Sequence, residues 1–272
     1  MTETANARPV VLVTGAARRV GATIARTLHA AGYDLALHCR HSRDELDTLI
    51  ASFEQVRPSS TLALQADLAD FERLSDLVDA TLGRFGRLDG LVNNASSFHP
   101  STFGEVGQAQ WDELFASNAR APFFLCQAAA GALRSNSGAI VNLLDIYAER
   151  PLPGYAVYCM AKAAQVAMTR ALAHELGPHV RVNGVAPGAV MWPEQGKAYA
   201  KQERIIDGTP LKRAGSPEDV ASAVLWLLRD AQFVTGQIIN VDGGHGLRRG
   251  PDLSGMLESI FGADGLRGVV PS

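Results

Sequence analysis

The sequence predicts an α/β protein with a single doubly wound parallel sheet of about seven strands and helices on both faces. Three observations predict it. Short β-rich runs alternate with segments of helical periodicity along most of the chain, the mark of repeated βαβ units. The first run, Val10 to Thr14, carries no charge and ends at Gly15, as a strand buried on both faces does. The 272 residues, 47% hydrophobic and 19% charged, have globular composition and the length of one α/β domain.

The elements follow in order. After the first strand, Gly21 to Ala31 has helical spacing and closes at Gly32. Asp34–His38 is the second strand. Ser42 opens a helix, with Glu45 completing a capping-box pattern. Thr61–Gln65 is the third strand, and Asp70–Leu82 a helix that Gly83 ends. Leu88–Asn93 is the fourth strand, and one long helix follows from Gln110 to Leu133. Ala139–Leu144 is the fifth strand, and the helix Gly154 to Leu176 stops at Gly177-Pro178. Val180–Val185 is the sixth strand. Ser216 to Arg229 is a helix with Pro217 in its first turn and Glu218-Asp219 at its positive end. Gln237–Val241 is the seventh strand. The chain reads as one domain over residues 1–272. It has an N-terminal arm at 1–8, an insertion at 189–209 that holds Met191 and Trp192, and a tail at 246–272 with some helical character at Met256–Phe261.

Charge and cysteine usage exclude several classes. A net charge of -3 and a pI near 6.2 give no whole-chain basic surface for nucleic acid or an anionic membrane. Cys39, Cys126 and Cys159 are scattered, with no CxxC pair and no Cys/His cluster of zinc spacing. Reduced thiols, no metal and a cytoplasmic location are expected. The N-terminus lacks the apolar core of a signal peptide. The longest apolar stretch, Ala121 to Leu133, is too short to span a bilayer.

The segment Thr14-Gly15-Ala16-Ala17-Arg18-Arg19-Val20-Gly21 joins the first strand to the first helix. Small residues there let the backbone approach a pyrophosphate, which faces the free N–H groups of the helix start. The second strand ends His38-Cys39-Arg40-His41-Ser42-Arg43, with no acid until Asp44. An acid at that place would bond the ribose hydroxyls of NAD. Cations and a hydroxyl suit a 2′-phosphate instead, with Arg18 facing them from the loop. NADPH is the expected cofactor, and whether Arg40 or His41 meets the phosphate stays open. Asp67 reads equally as an adenine acceptor or a helix N-cap. Asn93-Asn94-Ala95 follows the fourth strand, where such sheets open a ligand crevice, and suits holding the ribose, lining the nicotinamide or a plain turn.

Tyr158 and Lys162 lie four residues apart, on one face of the helix after the fifth strand. A lysine cation near a tyrosine favours the phenolate, so the spacing predicts a phenol tuned below its usual pKa to donate a proton.

With these residues in view, the sequence resembles the short-chain dehydrogenase/reductase family, whose domain is a Rossmann-type sheet, from about Val10 to Gly244. The resemblance rests on the Thr14–Gly21 loop, Asn93-Asn94-Ala95, Asn118, Tyr158 with Lys162, and Pro187-Gly188. It implies Tyr158 as proton donor and Lys162 as ligand of the nicotinamide ribose. It also implies Asn118 as holder of a relay water, and a homotetramer. Gly15, Arg18, Arg19, Val20, Gly21, His38, Arg40, His41, Ser42, Asp67, Asn94, Ala95, Lys162, Pro187 and Gly188 form the expected cofactor site.

One departure is informative. The family usually has Ser thirteen residues before its Tyr, and here that position is Asp145. A carboxylate would repel the oxyanion forming on a ketone oxygen. It suits a nitrogen heterocycle better: a protonated Asp, directly or through water, supplies a proton to a ring nitrogen, and an ionised one accepts from ring N–H groups. The pteridine reductase branch carries that substitution. Arg18-Arg19, Asn93 to Phe98 and Gly154 to Lys162 also resemble that branch, and His38 to Ser42 does so with the order Arg40-His41 exchanged. The resemblance implies a pterin or folate substrate stacked on Phe98, bonded by Ser96, reached by Arg19, and reduced beside Asp145 and Tyr158. The plainer readings are Phe98 as a core anchor, Ser96 as a turn residue and Arg19 as a surface cation. Two other functions compete: a carbonyl reductase of 3-oxoacyl thioesters, and a catalytically idle NADPH-binding sensor or scaffold.

Overall fold

Val10–Val13 form strand β1, and all four side chains are buried. Alternate residues feed two cores: Val11 and Val13 face one, Val10 and Leu12 the other. That two-sided burial is what the unbroken apolar run predicts. The other strands are β2 (Asp34–Cys39), β3 (Thr61–Gln65), β4 (Gly90–Asn93), β5 (Ala139–Leu143), β6 (Arg181–Pro187) and β7 (Ile238–Val241). In this computed structural model, residues 8–188, 190 and 206–247 are described. All seven strands are parallel, in the order β3-β2-β1-β4-β5-β6-β7. The sheet is the predicted Rossmann-type arrangement.

The helices are α1 (Arg19–Ala30), α2 (Arg43–Val56), α3 (Leu74–Phe85), α4 (Gln108–Phe115), α5 (Ala121–Ser135), α6 (Ala156–Leu176) and α7 (Pro217–Arg229). Ile24 and Leu28 of α1, Leu46 and Phe53 of α2, and Val224 and Leu227 of α7 fill one core. Leu77 of α3, Leu125 and Leu133 of α5, and Leu172 and Leu176 of α6 fill the other. Each such side chain contributes roughly 1.5–3 kcal/mol by burial. The chain order reverses between β1 and β4, so their carboxyl ends open a crevice at that switch point.

Three local expectations are corrected. The helix expected to end at Gly83 runs on to Phe85. Gly86, at φ 73, takes the left-handed cap, its N–H bonded 2.8 Å to the Leu82 carbonyl. Ser42 precedes α2, but its hydroxyl makes no cap bond, and the Glu45 carboxylate pairs with Arg18. The full capping box is at α7, where Ser216 and Asp219 bond each other's backbone N–H reciprocally. The long helix from Gln110 is two helices, α4 and α5, joined by a π-helical turn at Ala116–Arg120. Residues 189 and 191–205 of the expected insertion, with Met191 and Trp192, lie outside the described residues, as do 248–272 of the tail. Among the described residues no helix is long and apolar enough to cross a membrane.

Candidate active site

The loop after β1 is held by short-range contacts that leave little room for side chains. A Cβ on Gly15 would lie 2.9 Å from Ala95 Cα, and one on Gly21 only 2.1 Å from the Gly15 carbonyl oxygen. Asn94 Nδ2 donates to the carbonyls of Thr14 and Gly15, at 2.8 and 2.9 Å. The Thr14 hydroxyl in turn accepts the N–H groups of Asn94 and Ala95, both at 3.0 Å. Asn94 therefore ties the two crevice loops together with its side chain. The first turn of α1 carries no side-chain cap and no acid. Its free N–H groups fit a pyrophosphate, as does the absence of side chains at Gly15 and Gly21. Arg19 is exposed and sits at φ 54, a left-handed conformation that costs of order 1–3 kcal/mol for a residue with a Cβ.

The expectation that His38 adds a cation for the 2′-phosphate is corrected. His38 is buried, its Nδ1 accepts the Gly15 N–H at 3.3 Å, and its Nε2 donates to the Ala66 carbonyl at 3.0 Å. That pattern belongs to a neutral ring, and burial pushes its pKa down. His38 supports the loop from below. The cations on the open side are Arg18, which pairs with Glu45 at 3.6 Å, and Arg40, which pairs with Asp67 at 3.9 Å. All four side chains are well exposed, so each pair is worth about 0–1 kcal/mol and exchanges readily for a phosphate. Asp67 also accepts the Ala69 N–H at 2.9 Å, a local turn bond. His41 is exposed and Ser42 half-buried on the same rim. At the far wall β6 ends at Pro187. The Gly188 N–H bonds the Val241 carbonyl at 3.0 Å, and a Cβ there would meet the Asp242 side chain at 2.7 Å.

The reacting end is dry. The buried stripe of α6 includes Tyr158, Lys162, Gln165 and Thr169, and it brings the phenol and the ammonium together. Lys162 is 2% exposed, with Nζ 5.9 Å from the Tyr158 ring centre. That ammonium donates to the Leu143 carbonyl at 2.7 Å and to Gln165 Oε1 at 3.2 Å. Burial pushes its pKa down to about 8, opposed by the charge of Asp145. Asp145 stands just past β5, where Oδ1 accepts the Tyr147 N–H at 2.9 Å and Oδ2 accepts the Tyr158 hydroxyl at 2.7 Å. Burial raises the Asp145 pKa against the pull of those bonds and of Lys162. Tyr158 departs from the expectation that Lys162 lowers its pKa. Burial, then the adjacent Asp145 carboxyl, holds the phenol well above its usual range.

The π turn delivers Asn118, which is fully buried. Its Nδ2 donates to the Ser97 and Leu114 carbonyls, both at 2.9 Å, and its Oδ1 accepts the Ser96 hydroxyl at 2.7 Å. Two polar pairs therefore stand at this end, Tyr158 donating to Asp145 and Ser96 donating to Asn118. Phe98 is 52% exposed, so it is no core anchor. It lies flat on Tyr155 at 4.6 Å and edge-on to Tyr158 at 4.8 Å.

The chain matches a family model described as enoyl-(acyl carrier protein) reductase over residues 15–246. The chain belongs to the short-chain dehydrogenase/reductase family. It is 40% identical to a protein of Leishmania tarentolae named pteridine reductase 1, over 89% of this chain and 97% of the relative. It is 36% identical to ketoacyl reductase 2 of the granaticin polyketide synthase of Streptomyces violaceoruber, over 87% and 95%. It is 32% identical to a 3-oxoacyl-(acyl-carrier-protein) reductase, FabG, of Staphylococcus epidermidis, over 86% and 97%. Membership of this family makes the protein an NAD(P)H-dependent reductase.

Three residues of this short-chain reductase escape the sequence reading. Thr14 links the two crevice loops, Tyr155 supports Phe98, and Gln165 holds Lys162. Gln165 had a sequence signal, since i+3 from Lys162 is a helix neighbour. Thr14 and Tyr155 lie within segments the sequence singles out, but their contacts cross between elements and leave no local pattern.

Proposed function

We propose that this protein is an NADPH-dependent reductase of pterins, converting an oxidised or dihydropterin towards the tetrahydro state, with folates as further candidates. The carrying observation is the 2.7 Å bond between the Tyr158 hydroxyl and Asp145. A nicotinamide held in this crevice would supply the hydride for the carbon of a ring C=N, at the cost of its own oxidation, and the adjacent nitrogen would need a proton. Asp145 and Tyr158 deliver that proton as one unit. Burial raises the Asp145 pKa and so favours its protonated form. Asn118, which accepts the Ser96 hydroxyl, is the holder of a relay water. When ionised, Asp145 disfavours a ketone, because the carboxylate repels the developing oxyanion and makes the phenol a weaker acid. Phe98, backed by Tyr155, offers a flat exposed ring for a planar heterocycle beside the donors. Ser96 bonds the heterocycle's polar edge, and Arg19 reaches both it and the cofactor phosphate. Lys162 holds the nicotinamide ribose. The crevice loops, with Gly15, Val20, Gly21, Asn94, Ala95, Pro187 and Gly188, hold the dinucleotide. Arg18, Arg40, His41 and Ser42 select the 2′-phosphate.

The second reading, reduction of a 3-oxoacyl thioester, is favoured by the 32–36% identity to ketoacyl reductases. NADPH oxidation with biopterin, dihydrobiopterin, dihydromonapterin, folate, dihydrofolate and an acetoacetyl thioester separates them. Turnover of pterins is expected. Turnover of the thioester alone overturns the pterin reading, and no turnover of either leaves the sensor or scaffold reading.

A further inference from the structure

We propose that Gln165 is a positioning residue: its side-chain carbonyl and the Leu143 carbonyl form a two-acceptor seat that fixes the Lys162 ammonium beside the Tyr158 ring. The inference rests on Lys162 serving the reductase reaction, and not on which substrate is reduced. An ammonium has three N–H donors, and burial makes each unpaired one costly. The two carbonyls take two of them, at 2.7 and 3.2 Å, and so set the direction of the third.

Gln165 is itself only 1% exposed, one turn beyond Lys162 on α6. A buried glutamine is expensive unless its polar atoms are used, so packing alone does not account for it. Its turn is anchored to the sheet. The Thr169 hydroxyl donates to the Gln165 backbone carbonyl at 2.8 Å and accepts Asn142 Nδ2 at 2.9 Å. Asn142 Oδ1 accepts Asn93 Nδ2, again at 2.9 Å. The height of Gln165 is thereby tied to β5 and β4, and Asn94, next after Asn93, ties the same strand end to the phosphate loop.

The choice of glutamine has a chemical reason. A neutral acceptor favours the charged lysine without neutralising it. The ionisable groups facing Lys162 are Asp145 from the β5–α6 connection and Tyr158 on its own helix. The rest of the string, Asn142, Thr169 and Asn93, is uncharged. Methionine at position 165 fills the same space and removes the acceptor. Glutamate keeps the shape and adds a charge.

The test is an NMR titration of the unliganded full chain carrying ε-13C lysine, which shows only four lysines. Burial pushes the Lys162 pKa down to about 8, so its midpoint in the unchanged protein is expected there. Gln165→Met is expected to lower that midpoint by about one pH unit and Gln165→Glu to raise it by about as much. In parallel, the alkaline limb of kcat/KM for NADPH moves in the same order, with Gln165→Met about fivefold slower at pH 8. A space-filling role predicts one midpoint for all three proteins, and agreement within about 0.3 pH unit would overturn the proposal. If one variant fails to fold, the other decides alone, since each has its own signed shift. Failure of the pterin reading shows instead as absent pterin turnover by the unchanged protein, which leaves the titration intact.

Discussion

The two ends of the crevice use charge in opposite ways. At the reacting end Lys162, Asp145 and Tyr158 are withdrawn from solvent, and burial is the first cause of every pKa shift there. At the rim Arg18, Arg40, Glu45 and Asp67 stand in water as loose pairs 3.6–3.9 Å apart. In the dry end each charge is costly and therefore tuned, because little solvent screens it. At the wet rim partners exchange at small cost, which suits selection between two cofactors differing by one phosphate. On the proposed function, proton chemistry and cofactor choice are separated along one crevice, and each is open to change without the other.

Breaking the dry end has the largest expected effect. Tyr158→Phe removes the hydroxyl that donates to Asp145, and steady-state NADPH oxidation should fall by about 10²–10⁴. Asp145→Asn should lose about 10² in kcat with little change in NADPH affinity by fluorescence titration. With a protonated Asp145 as the proposed proton source, kcat/KM should decline as pH rises through its raised pKa. The Asn variant should lack that limb, and its persistence would remove Asp145 from the mechanism.

Lys162→Met separates stability from activity. The folded pKa near 8 lies below the ordinary 10.5, so between those values the unfolded chain binds more protons. The unchanged protein should therefore gain stability as pH rises through that window, and denaturant titrations of the variant should show no such slope. At pH 7 the variant should be more stable, on the order of 2 kcal/mol, while turnover is lost.

Effects at the rim should be smaller and salt-dependent. Arg40→Ala should raise the KM for NADPH about tenfold and leave that for NADH unchanged, with the difference shrinking at high ionic strength. An equal effect on both cofactors would move the 2′-phosphate contact away from Arg40. The smallest effects concern the caps. Ser216→Ala should cost about 1 kcal/mol in a thermal melt, whereas Ser42→Ala should leave the midpoint unchanged, since Ser42 makes no cap bond.

Much of this was legible before any coordinates. The unbroken run at Val10–Val13 marked a central strand, and the four-residue spacing of Tyr158 and Lys162 placed both on one helix face. Local patterns misled where two had equal claim. Gly83 and Gly86 both suit a helix end, and only Gly86 adopts the left-handed conformation. Ser42/Glu45 and Ser216/Asp219 both suit a capping box, and Glu45 of the first pairs with Arg18. His38 reads as a cation beside Arg40, and only the approach of Gly15 and Ala66 to its two ring nitrogens makes it a neutral brace.

Sequence alone determines which groups this protein brings to the reaction: the alternation of runs specifies the sheet, the glycines the tight loop, and Asp145 the departure at the reacting end. The tertiary structure decided their electrical state. The phenol is pushed up, not down, because a pKa depends on how much water surrounds a group and which charges face it. Those neighbours arrive from the π turn, the end of β5 and the loop after β4, segments far apart in the chain that meet only when the sheet closes around them.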